Sequence, residues 1–169
     1  MPTAVEARRR WGAVHGVHTL RGKLKQIRGM HMAGLLDPSM RALAAKIART
    51  CPERDDACEV RAVYQWVRRN IRYTDDVEGF DTHASPMRTV EWGIGDCDDS
   101  LALVTCLMRH LGYRVGVRVA ETGTQGYDHV YAIAGWPKLT PVSYVAMDTT
   151  EARWPGWEAA SRRHRDFLW

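Results

Sequence analysis

"GIGDCDDSLALVTCLMRHLGYRVGVRVA", residues 93–120, runs from a glycine-flanked turn through one cysteine among three aspartates into an apolar stretch and an alternating one. Ser100 to Leu111 reads as an apolar helix, with Gly112 where a C-cap glycine is expected. The segment "YRVGVRVAE" that follows alternates as a strand does. Cys97 therefore falls at a helix start, where exposed N–H groups and the positive dipole end favour thiolate over thiol. Asp96, Asp98 and Asp99 act against this, because nearby carboxylates raise a thiol's pKa. Aspartates in a first helical turn also complement the dipole without any catalytic role. A reactive Cys97 needs a cationic partner.

Working outward, Cys106 lies nine positions further along the same helix and on its opposite face, so it reads as a core thiol. Cys51 and Cys58 flank "PERDDA" between two predicted helices. A disulfide is geometrically allowed there, but two small half-buried thiols are expected in a reducing cytoplasm. With no CxxC pair among four cysteines, no structural zinc site is expected.

Upstream, "LLDPSMRALAAKIART" carries Met40, Leu43, Ala44 and Ile47 on one face, with Asp37 as N-cap and Pro38 at the first helical position. "RDDACEVRAVYQWVRRNIRY" repeats the pattern with Val60, Val63, Tyr64, Val67 and Ile71. Residues 74–85 are a polar loop, and "PMRTVEWG" a short helix or turn. Downstream, "HVYAIAGW" and "PVSYVAMDTT" read as two strands joined around "PKL". Helices first and strands afterwards predict an α+β fold with an antiparallel sheet. The C-terminal "WPGWEAASRRHRDFLW" is expected to form a short helix, with Trp154, Trp157, Phe167 and Trp169 packing back on the body.

The chain's 169 residues suit one domain, and 45% hydrophobic with 26% charged residues is a globular composition. No apolar run approaches the roughly 20 residues of a membrane span, and the N-terminus lacks an apolar signal block, so a cytoplasmic protein is expected. The net charge of +4 conceals a local +6 over residues 1–36, from Arg8, Arg9, Arg10, Arg21, Lys23, Lys25 and Arg28 against Glu6. Three regions follow: a basic N-terminal arm (1–36), the main domain (37–151) and an aromatic, basic tail (152–169). The arm reads as a solvated leader, or as a contact for an acidic partner or nucleic acid.

Of seven histidines, only His129 begins a strand that could hold it rigidly. If residues 129–136 and 142–148 pair around "PKL", His129 falls directly opposite Asp148. Each residue alone would pass as structural. Together with Cys97 they form a Cys–His–Asp set, in which the carboxylate orients the imidazole and the imidazole activates the thiol.

"GDCDDSLALVTCLMRHLGYRVGVRVA", "HVYA" and "VAMDTT", in that order, resemble the transglutaminase-like superfamily, whose papain-like core uses Cys, His and Asp in this chain order. "VYQWVRRNIRYTDD" and "SPMRTVEWGIGDCDD" are similar to that family's preceding helix, tyrosine strand and lead-in loop, particularly in small single-domain bacterial and phage members. The resemblance covers about residues 37–151. It implies Cys97 as nucleophile, His129 as general base and then acid, and Asp148 as orienting residue, with acyl transfer through a thioester. The backbone N–H of Cys97 is the natural first oxyanion donor. Trp92 and Tyr73 are candidates for the second, although both also read as packing residues. The resemblance further raises calcium binding at Asp96 and Asp98, as in some related periplasmic cysteine proteases; helix-dipole complementation is the reading preferred, and neither metal nor cofactor is expected. Hydrolysis of a peptide, isopeptide or similar amide bond is the expected reaction. Transamidation of glutamine, and a non-catalytic phage or nucleic-acid-associated module using the arm, are the alternatives.

Overall fold

The computed structural model describes residues 19–75, 83–123, 126–150 and 153–169. Its helices are α1 (Leu20–Leu36), α2 (Pro38–Ala48), α3 (Asp56–Asn70), α4 (Pro86–Trp92) and α5 (Cys97–His110). Its strands are β1 (Arg72–Tyr73), β2 (Ile94–Gly95), β3 (Val115–Ala120), β4 (His129–Trp136), β5 (Ser143–Met147) and β6 (His164–Leu168). The fold is α+β, as the order of patterns predicts. None of the described helices is long and apolar enough to cross a membrane.

Capping residues set the helix ends. Asp37 closes α1 and caps α2, accepting from the Ser39 N–H at 2.9 Å with Pro38 in the first turn. Asp55 caps α3 through the Cys58 N–H at 2.9 Å. Asp96 caps α5, taking the N–H groups of both Asp98 and Asp99. At the far end of α5, Gly112 adopts a φ of +92°, with its N–H bonded to Arg109 O and that of Tyr113 to Met108 O. This is a Schellman close, and the positive φ is why glycine stands there.

α5 is buried from Asp98 to Met108. A helix apolar nearly all round belongs at the centre, and the other helices and the sheet enclose it. α1 approaches very closely at Gly34, where a Cβ would stand 2.7 Å from Cys106 Sγ and from Pro86 Cγ. Ile27 and Met30 of α1 enter the main core. The expected arm is thus corrected over residues 20–36: Leu20, Leu24, Ile27, His31 and Gly34 recur every three or four positions and make it a core helix. Residues 1–18 lie outside the described residues.

The main sheet runs β5-β4-β3-β6, antiparallel throughout. β1 and β2 form a separate parallel pair, with Tyr73 beside Gly95. The tail contains a strand where a helix is expected. Arg165, Phe167 and Trp169 share one face and Asp166 and Leu168 the other, and β3 offers an edge to pair with. Arg118 of β3 clamps Asp166 with two bonds of 2.7 Å. Phe167 and Trp169 pack on the core as expected, whereas Trp154 stays 60% exposed.

Cys51 and Cys58 are bonded to each other, with Cα atoms 5.6 Å apart. The expectation of two free thiols rested on compartment. The turn between α2 and α3 brings the cysteines within bridging distance.

Candidate active site

β4 pairs with β5 in a register that sets Ala132 opposite Met147 and Trp136 opposite Ser143. Continued along the strands, it places Tyr131, not His129, across from Asp148. The expected direct opposition is therefore off by two positions, because the connection over residues 137–142 is longer than the "PKL" turn assumed. A shift of two preserves the face, since side chains alternate with period two. His129 and Asp148 meet diagonally: His129 Nε2 lies 2.7 Å from Asp148 Oδ2.

Asp148 is 1% exposed and well anchored. Its Oδ1 accepts from the Thr150 hydroxyl at 2.6 Å and the Thr150 N–H at 3.2 Å. Its carbonyl accepts from the Tyr64 hydroxyl at 3.0 Å, and the next carbonyl, of Thr149, accepts from Arg68 at 3.0 Å. Burial pushes the Asp148 carboxyl up. Hydrogen bonding to His129 and its charge, with the Thr150 bonds, outweigh burial and hold the pKa below the usual value. An ionised Asp148 accepts Nε2–H, so the basic lone pair of His129 is on Nδ1.

Cys97 opens α5, which packs against β4. As the first helical residue it has no intrahelical acceptor for its N–H, and the Asp96 cap takes the two N–H groups after it. The thiol is half-buried, and its Sγ donates to Asp98 Oδ1 at 3.5 Å. Burial raises the thiol pKa well above its ordinary value, the charges of Asp98 and Asp96 add to this, and Lys23 opposes. The carboxylates thus act as the sequence suggests.

The Asp98 side chain is 1% exposed and is met by Lys23 Nζ of α1 at 3.0 Å and by His83 Nδ1 at 3.7 Å. His83 in turn bonds Gln26 at 2.6 Å. Asp99 accepts from the Ala84 N–H at 2.8 Å. Asp96 and Asp98 are therefore engaged by the cap and by an ammonium. Among the described residues, no group of His, Cys, Asp and Glu is arranged to hold a metal ion.

Tyr73 is 44% exposed and its hydroxyl donates to Asp75 at 2.8 Å. Burial first, then the Asp75 bond and the charges of Cys97, Asp75 and Asp96, raise its pKa. Trp92 is half-buried at the end of α4.

Residues 41–149 match the family model for the transglutaminase-like superfamily. The chain belongs to that superfamily. Among solved structures, this transglutaminase-like chain is similar to a putative cysteine protease from Cytophaga hutchinsonii, with a TM-score of 0.52 and 15% identity, covering 81% of this chain and 54% of that one. It is also similar to Legionella pneumophila LapG in an EGTA-treated form, with a TM-score of 0.50 and 15% identity over 76% of this chain and 73% of that one. At these identities the likeness is one of fold, and the chain spans about half the length of the first. No curated protein sequence matches it.

Sequence reasoning missed Lys23, His83 and Gln26 around the thiol's neighbour, and Tyr64 and Arg68 behind Asp148. The three- and four-residue spacing of apolar residues in 20–34 signals the helix that delivers Lys23. Nothing local signals Tyr64 or Arg68, whose acceptors lie more than eighty positions away.

Proposed function

We propose that this transglutaminase-like chain is a cysteine-dependent hydrolase of peptide, isopeptide or similar amide bonds. The observation that carries the reading is the 2.7 Å pair of His129 with the buried, anchored Asp148, on a strand packed against the helix that Cys97 begins.

In this mechanism His129 takes the thiol proton at Nδ1 as Cys97 Sγ attacks the amide carbonyl. The C–S bond forms and the carbonyl electrons move to oxygen, where the Cys97 N–H donates. Collapse breaks the C–N bond, and His129 returns its proton to the departing amine. Water, deprotonated by His129, then attacks the thioester and releases the acid and the thiol. Asp148 holds the tautomer and stabilises the imidazolium. With its pKa raised, Cys97 rests as a thiol, so proton transfer and attack are coupled. Oxyanion donors are typically worth about 3 kcal/mol each. Tyr73 and Trp92 are the two candidates for the second donor. Hydrolysis is preferred to transamidation because water needs no second binding site.

A peptide library incubated with wild type and Cys97→Ser, read by mass spectrometry, tests this. Cleaved bonds and a thioester adduct on Cys97, both absent from Cys97→Ser, support it. Incorporation of monodansylcadaverine without cleavage would redirect it to transamidation, and full activity of Cys97→Ser would end it.

A further inference from the structure

β6 is the last strand of its sheet. The Trp169 N–H donates to Val115 O and the Glu121 N–H to Arg163 O, so the odd-numbered residues of β6 turn their backbone towards β3. His164, Asp166 and Leu168 therefore turn N–H and C=O outward, to an edge that no described strand covers.

Between β6 and α1 lies a groove of about 770 Å³. Leu24, Phe167 and Trp169 give it apolar walls, and Arg21, Lys25, Arg28 and Arg165 line it with positive charge and no carboxylate side chain. Arg21, Lys25 and Arg28 are exposed and, among the described residues, none forms an ion pair. Their spacings of four and three residues set them about 4.5 to 6 Å apart along the helix, near the roughly 6.6 Å between same-face side chains of a strand.

We infer that this groove docks an acidic, extended segment of a partner protein, which adds to the open edge of β6 as a fifth strand. Its backbone would complete the row offered by His164, Asp166 and Leu168, and the side chains of every second residue would enter the groove, apolar ones against Leu24, Phe167 and Trp169 and carboxylates against the four cations. Strand addition of this kind draws affinity from main-chain bonds and specificity from alternate side chains. A nucleic acid would satisfy the cations and stack on Phe167 and Trp169, but it has no backbone complement for a strand edge. Ala120 pairs with His129 on one side and His164 on the other, so the docked strand has one end at the end of the sheet that carries His129. The inference does not depend on the hydrolase reading.

The test is fluorescence anisotropy with a fluorescein-labelled nine-residue peptide whose odd positions, on one face of a strand, alternate Glu with Leu and whose even positions are Thr. Saturable one-to-one binding is expected. Affinity should fall about tenfold or more for Arg21→Glu/Lys25→Glu, whose sites are exposed near a helix N-terminus that tolerates acids. A thermal melt checks that this variant stays folded. N-methylation of alternate peptide amides, which blocks a strand edge while preserving charge, should weaken binding comparably. Equal binding of the N-methylated peptide, or of one with the same residues sorted into an acidic and an apolar block, would overturn strand addition. Undiminished binding to the charge-reversed variant would overturn the site. Full displacement by a twelve-residue oligothymidylate at equal concentration would favour nucleic acid, and self-association of the chain through this edge a second copy; either outcome overturns the proposal.

Discussion

His129 and Asp148 are bonded across a diagonal of the β4–β5 ladder, at 2.7 Å, although the register sets neither directly opposite the other. A diagonal pair relies on its surroundings for orientation, and Asp148 is held by Thr150, Tyr64 and the Arg68-anchored carbonyls.

Asp148→Asn should therefore preserve the fold and lower turnover, by up to about four orders of magnitude, since a neutral amide oxygen stabilises the imidazolium less than a carboxylate and an amide turned to present its NH2 selects the wrong tautomer. Comparing turnover with the thermal midpoint checks this. Unaltered turnover would remove Asp148 from the mechanism.

Tyr64→Phe should cost about 1 kcal/mol of stability, because the Asp148 carbonyl loses a buried donor. Loss of turnover beyond that of an equally destabilised core variant, measured side by side, would identify Tyr64 as a positioning residue.

The thiol of Cys97 is raised by burial and by Asp98 and Asp96, and lowered by Lys23. Iodoacetamide alkylation of Cys97, mapped against pH, should shift to lower pH in Asp98→Asn and to higher pH in Lys23→Gln. Identical profiles in all three proteins would show that neither charge reaches the sulfur.

His31 is buried against Thr105 and Trp169, and burial first, then the charges of Arg109, His110 and Arg28, lower its pKa to about 4. The unfolded state binds a proton near pH 6.5 and the folded state does not until about pH 4. Stability is thus lost as pH falls through that interval, by at most about 3 kcal/mol. His31→Gln should flatten this part of the melting temperature against pH.

The Cys51–Cys58 bridge ties the turn after α2 to the first turn of α3. Replacing both cysteines by alanine should cost about 2 kcal/mol by loop entropy, read as a lower urea midpoint in non-reducing buffer. An unchanged midpoint would mean that the turn is already ordered by the Asp55 cap.

Local chemistry made much of this molecule legible in its sequence. Asp37, Pro38 and Gly112 mark helix ends because capping acts within a few residues. The alternation of β3 and β4, and the period of two that keeps His129 and Asp148 on one face despite the shifted register, follow from strand periodicity. Tertiary structure decided the rest. The hairpin register shifted by two because its connection is longer than the turn residues suggest. The tail became a strand because β3 had an edge to pair, and the tail's own residues do not carry that information. Residues 20–36 became a core helix, delivering Lys23 to Asp98, because the apolar faces of α5 extend beyond what the sheet and the other helices cover. The anchoring of Asp148 by Tyr64 and Arg68 joins positions more than eighty residues apart, and only the packed fold brings them together.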